Sequence, residues 1–208
     1  MINLIRLFSP ILIALLVLPN GGLATLSEDP SSIKPLEVGE AIPNVSIQAS
    51  NGEPASFEAI VEGKKTVLIF YRGGWCPYCM KHLSSLMEVE DRLQELGYQL
   101  IAISPDRPEK LNDSLEANPF AYEIYSDSEM NLAKAFGLAF RVDDETLKML
   151  NDYGIDLEEA SGKEHRLLPV PAVYLINEEG TINYRYYNPD YSIRLSAEEI
   201  LQAAEASE

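Results

Sequence analysis

The sequence predicts an α/β fold in which a mixed central sheet is covered by helices on both faces. Two observations support this prediction. Apolar, strand-like runs alternate with segments of helical periodicity from residue 45 to residue 136, a pattern typical of parallel strands connected by helices. The last third of the chain instead offers two strands joined by a tight turn and then a final helix, and a hairpin contributes antiparallel strands.

The chain begins with a segment that has the form of an export signal. One cation precedes an apolar run from Pro10 to Leu18, and small residues suit cleavage after Ala24. The run is shorter than the ~20 residues that span a bilayer, so cleavage is favoured over a membrane anchor and no span is expected after processing. We therefore expect a signal peptide at 1–24, a linker at 25–40 and one folded domain at 41–208, in a protein that is exported to the periplasm or secreted.

The composition excludes several classes of function. A net charge of −17 argues against nucleic-acid binding, because phosphate recognition demands a basic surface. The two cysteines, Cys76 and Cys79, are too few for a disulfide scaffold. In an exported protein such a Cys-x-x-Cys pair can oxidise and stay oxidised until a partner reduces it. Nothing in the sequence gives a reason to expect a bound cofactor.

The first part of the chain is predicted to be strand and helix in turn. The strands are expected at 45–47, 66–71, 99–104 and 122–125, and the helices at 76–97, 108–117 and 129–136. The run 66–71 is continuously apolar, which is typical of a central strand buried on both faces. After Cys76 apolar side chains recur at helical spacing until Gly97, a residue well placed to end the helix.

The second part departs from this alternation. The polar segment 141–166 fits no predicted element and is interpreted as an insertion in the domain. Two strands joined by a turn follow it, at 172–176 and 182–187, and together they predict a hairpin. Ser196 and Glu199 then form the pattern of a capping box that opens the last helix.

The two cysteines lie directly after a buried strand and at the start of a predicted helix. Unpaired backbone N–H groups and the helix dipole favour an anion at this position, so Cys76 should ionise more readily than a free thiol. Pro77 suits the first helical position because its missing N–H would have no partner there. Cys79 lies one turn further in and is expected to be more enclosed, with the higher pKa. These positions predict that Cys76 attacks and Cys79 resolves.

Three other interpretations of the cysteine pair compete with a redox site. A structural disulfide would be a weak constraint, about 2 kcal/mol for so short a loop. A closed zinc site needs four ligands, and besides the two cysteines the chain offers only His82 and His165. Two buried unreactive thiols conflict with the flanking glycines, which are expected to leave the turn open to solvent. We interpret His82 as a residue of the helix surface.

Two further residues are candidates for the site. Pro171 directly precedes a strand, where a cis proline would place a backbone edge beside the cysteine turn; a trans proline at a strand start is the alternative. Arg72 is a permanent donor that can stabilise a thiolate or a peroxide oxygen, or can face solvent. Trp75 is interpreted as a packing residue.

These motifs resemble the thioredoxin superfamily, through WCPYC at a strand-to-helix turn and Val-Pro before a hairpin. More specific matches resemble the peroxiredoxins of the alkyl hydroperoxide reductase and thiol-specific antioxidant family. They are VGEAIPN at 38–44, ISPD at 103–106, YSD at 125–127 and AKAFGL at 133–138. The GGWCPYC site resembles a divergent group of that family, because the family's Pro and Thr or Ser positions hold Ile69 and Gly73, and its active-site arginine aligns with Pro171.

The resemblance implies a thioredoxin fold with a peroxiredoxin-like N-terminal extension, and a thiol-dependent peroxidase. The Cys76 thiolate would reduce a peroxide, the sulfenic acid would condense with Cys79, and a dithiol partner such as a thioredoxin-like protein would reduce the disulfide. We expect the catalytic residues to be Cys76, Cys79, Arg72 and Pro171, with no cofactor and no metal. The alternatives are a thiol:disulfide oxidoreductase acting on exported proteins, which would take a disulfide substrate, and a metal-binding or interaction module.

Overall fold

The computed structural model describes residues 26–207, and its centre is a seven-stranded mixed sheet. The predicted signal peptide at 1–24 lies outside the described residues. The strands are β1 (Ser46–Gln48), β2 (Pro54–Ser56), β3 (Lys65–Phe70), β4 (Tyr98–Ser104), β5 (Glu123–Ser126), β6 (Ala139–Arg141), β7 (Leu167–Pro169), β8 (Ala172–Ile176) and β9 (Ile182–Tyr187). The sheet order is β2-β1-β5-β4-β3-β8-β9, with β3, β4 and β5 parallel, while β6 and β7 form a separate antiparallel pair.

The helices cover both faces of this sheet, as predicted. They are α1 (Phe57–Val61), α2 (Pro77–Leu86), α3 (Glu90–Glu95), α4 (Pro108–Ala117), α5 (Asn131–Ala135), α6 (Asp144–Asp152), α7 (Leu157–Ser161) and α8 (Ala197–Ala206), with a 3-10 turn at Pro30–Ser32. Within the described residues, no helix is long and apolar enough to cross a membrane.

Strand β3 is the centre of the core. Val67 and Ile69 face one layer, where they pack with leucines of α2 and α3 and with α8. Leu68 and Phe70 face the opposite layer, where they pack around Phe136. All of these side chains are almost completely buried, so the prediction of a central strand buried on both faces is confirmed. Functional side chains near this strand are therefore expected in the residues that follow its carboxyl end.

The helix predicted from Cys76 to Gly97 is wrong in its middle, because α2 ends at Leu86 and α3 begins at Glu90. Between them the backbone tightens: the Glu88 N–H donates to the Ser85 carbonyl oxygen at 3.1 Å, three residues back instead of four. Leu86 and Leu93, on either side of this break, lie in the same core and are both fully buried. Apolar spacing alone did not reveal the break, since both halves keep a buried face.

Residues 26–40 lie against the folded body, although the composition suggested a linker. The Leu36 N–H donates to the Phe136 carbonyl oxygen at 3.0 Å, and the Gly39 N–H donates to that of Ile182 at 2.8 Å. The Arg185 guanidinium donates to the carbonyl oxygens of two residues of the segment, both at 3.1 Å. Three apolar residues, Leu26, Ile33 and Leu36, pack against the core. Their spacing is irregular, which explains why sequence periodicity missed them.

The segment interpreted as a polar insertion, 141–166, is built from α6 and α7. Asp143 and Asp156 cap these two helices by accepting backbone N–H groups. Val142, Leu150 and Leu157 of the segment form a small separate core with Leu168 of β7. Trp75 packs against this core, so the segment borders the cysteine turn.

The capping box predicted for the last helix is confirmed and generates a stability prediction. Ser196 Oγ accepts the Glu199 N–H at 3.2 Å, and Glu199 Oε2 accepts the Ser196 N–H at 2.8 Å. Ser196→Ala should lower the free energy of unfolding by about 1 kcal/mol in urea titrations, because it leaves a helix N–H without its partner. Ser196→Asp is the matched control, since aspartate caps equally well, and should stay within about 0.5 kcal/mol of the wild type. Equal losses in the two variants would contradict the capping role.

Candidate active site

Cys76 and Cys79 form a disulfide across the first turn of α2. Cys76 is the N-cap residue of the helix and Pro77 occupies its first position, as the sequence predicted. The two Cα atoms are 5.2 Å apart, and the Cys79 N–H donates to Cys76 Sγ over 3.3 Å. The positive end of the helix and this N–H both favour negative charge on Cys76. The pair is therefore placed for reversible thiol–disulfide chemistry.

The turn is more closed than its glycines suggested. Cys76 is only 2% exposed and Cys79 is fully buried, so the expectation of an open turn is wrong. The glycines serve close packing instead. Gly73 has a φ of +135°, and a Cβ there would overlap the Trp75 indole, while a Cβ on Gly74 would overlap the Ser114 hydroxyl. The solvent-facing edge of the turn is made by the residues between the cysteines, of which Tyr78 is 51% exposed.

Arg72, the last residue before the glycines, is buried beside aromatic rings. Its guanidinium carbon lies 4.0 Å from the centroid of the Tyr191 ring and 5.3 Å from that of Trp75. Arg72 is 6% exposed, and its Nε has no hydrogen-bond partner among the described residues. Burial lowers the pKa of Arg72. The solvent-facing alternative for this residue is therefore wrong.

A second arginine reaches the disulfide from the loop between β9 and α8. Arg194 Nη2 lies 3.4 Å from Cys79 Sγ. Burial, and then the charge of Arg72, lower the pKa of Arg194 to about 10, so it remains protonated at neutral pH. Sequence reasoning did not single out Arg194. Its signal was its place two residues before the Ser196 cap, but only the packing of α8 against α2 shows which cysteine it meets.

His82 is part of the same cluster and does not lie on the helix surface, which corrects the sequence interpretation. It is 7% exposed, and with Arg194 and Pro171 it lines a small cavity of about 10 Å³. Burial, and then the charge of Arg194, lower the pKa of His82 to about 4. The imidazole is therefore neutral at pH 7, which leaves the positive charge of this cluster to the arginines.

Neither arginine has a carboxylate partner in the described part of the chain. The ion pairs within residues 26–207 involve other cations, such as Arg92, Arg166 and Arg185, and none joins Arg72 or Arg194 to a carboxylate within 4.0 Å. A buried or half-buried charge is normally paired. Two guanidiniums without a carboxylate partner therefore give this part of a protein of net charge −17 a local excess of positive charge.

Pro171 lies between the two arginines. It lines both the small cavity beside Arg194 and a larger cleft of about 290 Å³ that also contains Arg72, Phe140 and Tyr191. Its carbonyl oxygen accepts the Asn188 N–H at 3.2 Å. No peptide bond is cis within the described residues, so Pro171 is the trans proline that the sequence left open.

The zinc interpretation finds no support in the geometry of the histidines. His165 lies in a different part of the fold, where its ring contacts the Ser128 carbonyl oxygen at 2.8 Å and accepts the Leu167 N–H at 3.0 Å. Within residues 26–207, no group of three or more cysteine, histidine or acidic side chains is arranged to hold a metal ion.

Comparison with known proteins agrees with this geometry. Residues 38–185 match the family model described as the AhpC/TSA family. The chain belongs to the AhpC/TSA family. Peroxiredoxin Bcp of Escherichia coli K12 is 26% identical over 106 residues, which are 51% of this chain and 67% of that protein. A putative peroxiredoxin of Haemophilus influenzae is 30% identical over 106 residues, 51% of this chain and 68% of that one.

Solved structures of peroxiredoxins have the same fold as this chain. Reduced Prx3 from Vibrio vulnificus has a TM-score of 0.67 and 20% identity, covering 82% of this chain and 99% of that one. Peroxidoxin BcpB from Mycobacterium tuberculosis has a TM-score of 0.63 and 17% identity, with coverage of 82% and 97%. The resemblance to a peroxiredoxin-like thioredoxin fold, seen in the sequence motifs, is therefore confirmed.

A second residue that sequence reasoning did not assign to this AhpC/TSA site is Asp106. It follows β4 and is 2% exposed, and its Oδ2 accepts the Gly74 N–H at 2.7 Å. Burial raises the pKa of Asp106 to about 6, although the Gly74 hydrogen bond acts in the opposite direction. In the sequence, Asp106 is notable only as the last residue of the ISPD motif at 103–106. The structure shows that it ties the end of β4 to the cysteine turn.

The raised pKa of Asp106 predicts a pH-dependent stability. Between about pH 4, where an unfolded aspartate titrates, and about pH 6, the folded protein holds a proton that the unfolded chain has lost. Stability from this group is thus present below that window and is lost as pH rises through it. Asp106→Asn keeps a hydrogen-bond acceptor for Gly74 but cannot ionise.

Relative to the wild type, Asp106→Asn should gain about 2–3 kcal/mol in the free energy of unfolding as the pH rises from 4 to 7. Urea titrations followed by Trp75 fluorescence at several pH values measure this difference. Asp127, another buried carboxyl whose pKa burial raises to about 6, is present in both proteins and cancels. A difference that does not vary with pH would contradict the raised pKa of Asp106.

Proposed function

We propose that this protein is a thiol-dependent peroxidase in which Cys76 attacks the peroxide and Cys79 resolves the product. Membership of the AhpC/TSA family and the similarity to peroxiredoxins support this function. The observation that carries the assignment of roles is the position of Cys76 at the N-cap of α2, with the Cys79 N–H directed at its sulfur. That arrangement stabilises the thiolate that a peroxide oxidises.

The chemistry follows in balanced steps. The Cys76 thiolate attacks one oxygen of the peroxide, the O–O bond breaks, and the other oxygen leaves as water or an alcohol after taking a proton. Cys76 is then a sulfenic acid. The Cys79 thiolate attacks that sulfur and expels hydroxide, which is protonated to water. The Cα separation of 5.2 Å falls in the ordinary range for disulfides, so the bond forms without unwinding α2.

Arg72 is proposed to bind the peroxide next to Cys76. It directly precedes the cysteine turn, has no carboxylate partner among the described residues, and has an unpaired Nε in the interior. A guanidinium held by the Tyr191 ring can donate to the peroxide oxygen on which charge develops. Pro171 shapes the cleft that contains this arginine, and we propose that its role is to exclude water there.

The oxidised protein needs an electron donor. We propose a dithiol reductant, such as a thioredoxin-like protein, because two electrons must return to the Cys76–Cys79 disulfide in each turnover. We further propose that the protein works after export, on the basis of its N-terminal sequence. In an oxidising compartment the disulfide would persist until that partner arrives.

A second candidate function is thiol:disulfide exchange with exported proteins. The observation that favours it is the edge of the cysteine turn, where Pro77 and Tyr78 are exposed and Tyr78 packs on Tyr191 with ring centroids 5.8 Å apart. An exposed aromatic edge beside a disulfide can contact an extended polypeptide. The same mature protein can be assayed for both activities.

The two functions differ in how the reduced protein responds to hydrogen peroxide. When the reduced protein is mixed with hydrogen peroxide in a stopped-flow instrument, Trp75 fluorescence should change rapidly and saturate at one equivalent of peroxide. The reason is that Trp75 adjoins the reacting thiol. Cys76→Ser should abolish the change, whereas Cys79→Ser should keep the first oxidation and accumulate a sulfenic acid. A wild-type rate no better than that of a free thiol would reject the peroxidase, and catalysed insulin reduction would then favour the exchange enzyme.

Arg72 offers a separate test of the peroxide step. Arg72→Gln should slow oxidation of Cys76 by about 10- to 100-fold, because the donor to the developing negative charge is removed. Arg72→Lys keeps the charge without the planar donor, and its oxidation rate should lie between those of the wild type and Arg72→Gln. The exposed Arg92, whose pairs with Glu95 and Glu205 lie on the protein surface, provides the control Arg92→Gln. Wild-type oxidation rates in Arg72→Gln would remove Arg72 from the mechanism.

A further inference from the structure

The two sulfurs of the disulfide have different donors. Cys76 Sγ accepts the Cys79 N–H at 3.3 Å, a neutral backbone donor at the helix N-terminus. Cys79 Sγ is contacted by Arg194 Nη2 at 3.4 Å, a fully charged donor. Arg194 is held in place by a hydrogen bond from its Nη1 to the Ile193 carbonyl oxygen at 3.2 Å. The stronger electrostatic partner therefore belongs to the cysteine that the sequence expected to have the higher pKa.

Among the charged and titratable groups around the contact with Cys79 Sγ, Arg194 carries the dominant charge. They come from every element packed there: Arg72 after β3, His82 on α2, Tyr186 on β9 and Asp190 in the preceding loop. His82 is neutral because burial lowers its pKa to about 4. Tyr186 and Asp190 favour the charged form of Arg194, whereas Arg72 opposes it, and the pKa of Arg194 stays near 10. Asp190 forms no ion pair with Arg194 within 4.0 Å in the described residues.

We propose that Arg194 stabilises the thiolate of Cys79, which makes Cys79 the nucleophile when the disulfide forms and the leaving group when a thiol opens it. A positive charge beside a thiol lowers its pKa and opposes the effect of burial, which raises it. The expectation that Cys79 has the higher pKa considered burial alone. Arg194 is thus assigned to the disulfide steps, and Arg72 to the peroxide step.

A dithiol reduces the Cys76–Cys79 disulfide in two exchanges. An external thiolate attacks Cys76 Sγ, the S–S bond breaks, and its electron pair leaves on Cys79 Sγ as a thiolate beside Arg194. The external sulfur is now joined to Cys76 in a mixed disulfide. A second thiolate of the same dithiol attacks the external sulfur and expels the Cys76 thiolate. Leaving groups of lower pKa depart faster, so Arg194 accelerates the first exchange.

The role of Arg194 rests on the proposed function only for its place in a peroxidase cycle, because the pKa and the exchange rate are measured without peroxide. The first experiment uses Cys76→Ser, in which Cys79 is the only thiol and serine keeps an N-cap for α2. The ultraviolet absorbance of the thiolate, followed against pH, gives the pKa of Cys79. Adding Arg194→Gln should raise that pKa by about 1–2.

Two variants distinguish charge from packing in the same background. Arg194→Lys should recover most of the low pKa, since it restores a positive charge near Cys79 Sγ. Arg92→Gln removes an equal charge from an exposed surface and should leave the pKa of Cys79 unchanged. Equal pKa values in Arg194→Gln and Arg92→Gln would overturn the proposal. It would also fall if Arg194→Lys, folded by circular dichroism, titrates like Arg194→Gln.

The second experiment measures how fast dithiothreitol reduces the disulfide in the two-cysteine protein. At neutral pH, Arg194→Gln should slow the reaction by about 3- to 10-fold, because the departing thiolate of Cys79 is less stable. Arg92→Gln should react at the wild-type rate. Unchanged reduction in Arg194→Gln would contradict the leaving-group role. A protein that reduces peroxide slowly but shows these two effects would reject the peroxidase while supporting the role of Arg194.

Discussion

The burial of β3 on both faces is the constraint on which the rest of the site depends. From Val67 to Phe70 this strand has apolar partners on both faces and carries no polar side chain. The chain must then leave the sheet and start α2, and the unpaired N–H groups of that helix appear where β3 stops. Cys76 occupies the N-cap of α2, where its sulfur accepts one of these N–H groups. Its chemistry is thus a consequence of how the core is built.

The site is distinguished by arginines that have no acidic partner in the described part of the chain. The protein carries 33 acidic and 16 basic residues, yet within the described residues neither Arg72 nor Arg194 has a carboxylate within 4.0 Å. Elsewhere in the described structure arginines such as Arg166 are paired. Leaving Arg72 and Arg194 without an acidic partner costs stability, and aromatic contacts with Tyr191 and Trp75 offset part of that cost for Arg72. The positive charge of Arg194 is consequently available to Cys79 Sγ.

Sequence reasoning recovered those parts of the fold and site that local pattern determines. The buried strand, the N-cap cysteine, Pro77 at the first helical position and the Ser196 cap all follow from residues within one turn of each other. Contacts between distant segments escaped it. Arg194 meets a cysteine 115 positions away, and Asp106 meets Gly74 across 32 positions. His82 was misjudged for the same reason, since the chain that buries it follows β9. Docking of residues 26–40 likewise depends on partners far along the chain.

The departures from the family pattern at Gly73 and Pro171 affect the packing and the charge of the site. Gly73 stands where the family resemblance implies a Thr or Ser, and its φ of +135° and the overlap of a Cβ with the Trp75 indole disfavour any side chain. With no side chain at Gly73 or Gly74, Asp106 and Ser114 of α4 pack directly against the turn. The position that aligns with the family's arginine holds Pro171, and the guanidinium that contacts a sulfur is that of Arg194, on Cys79. The positive charge that sulfur chemistry needs is thereby kept, although the residues that supply it are different.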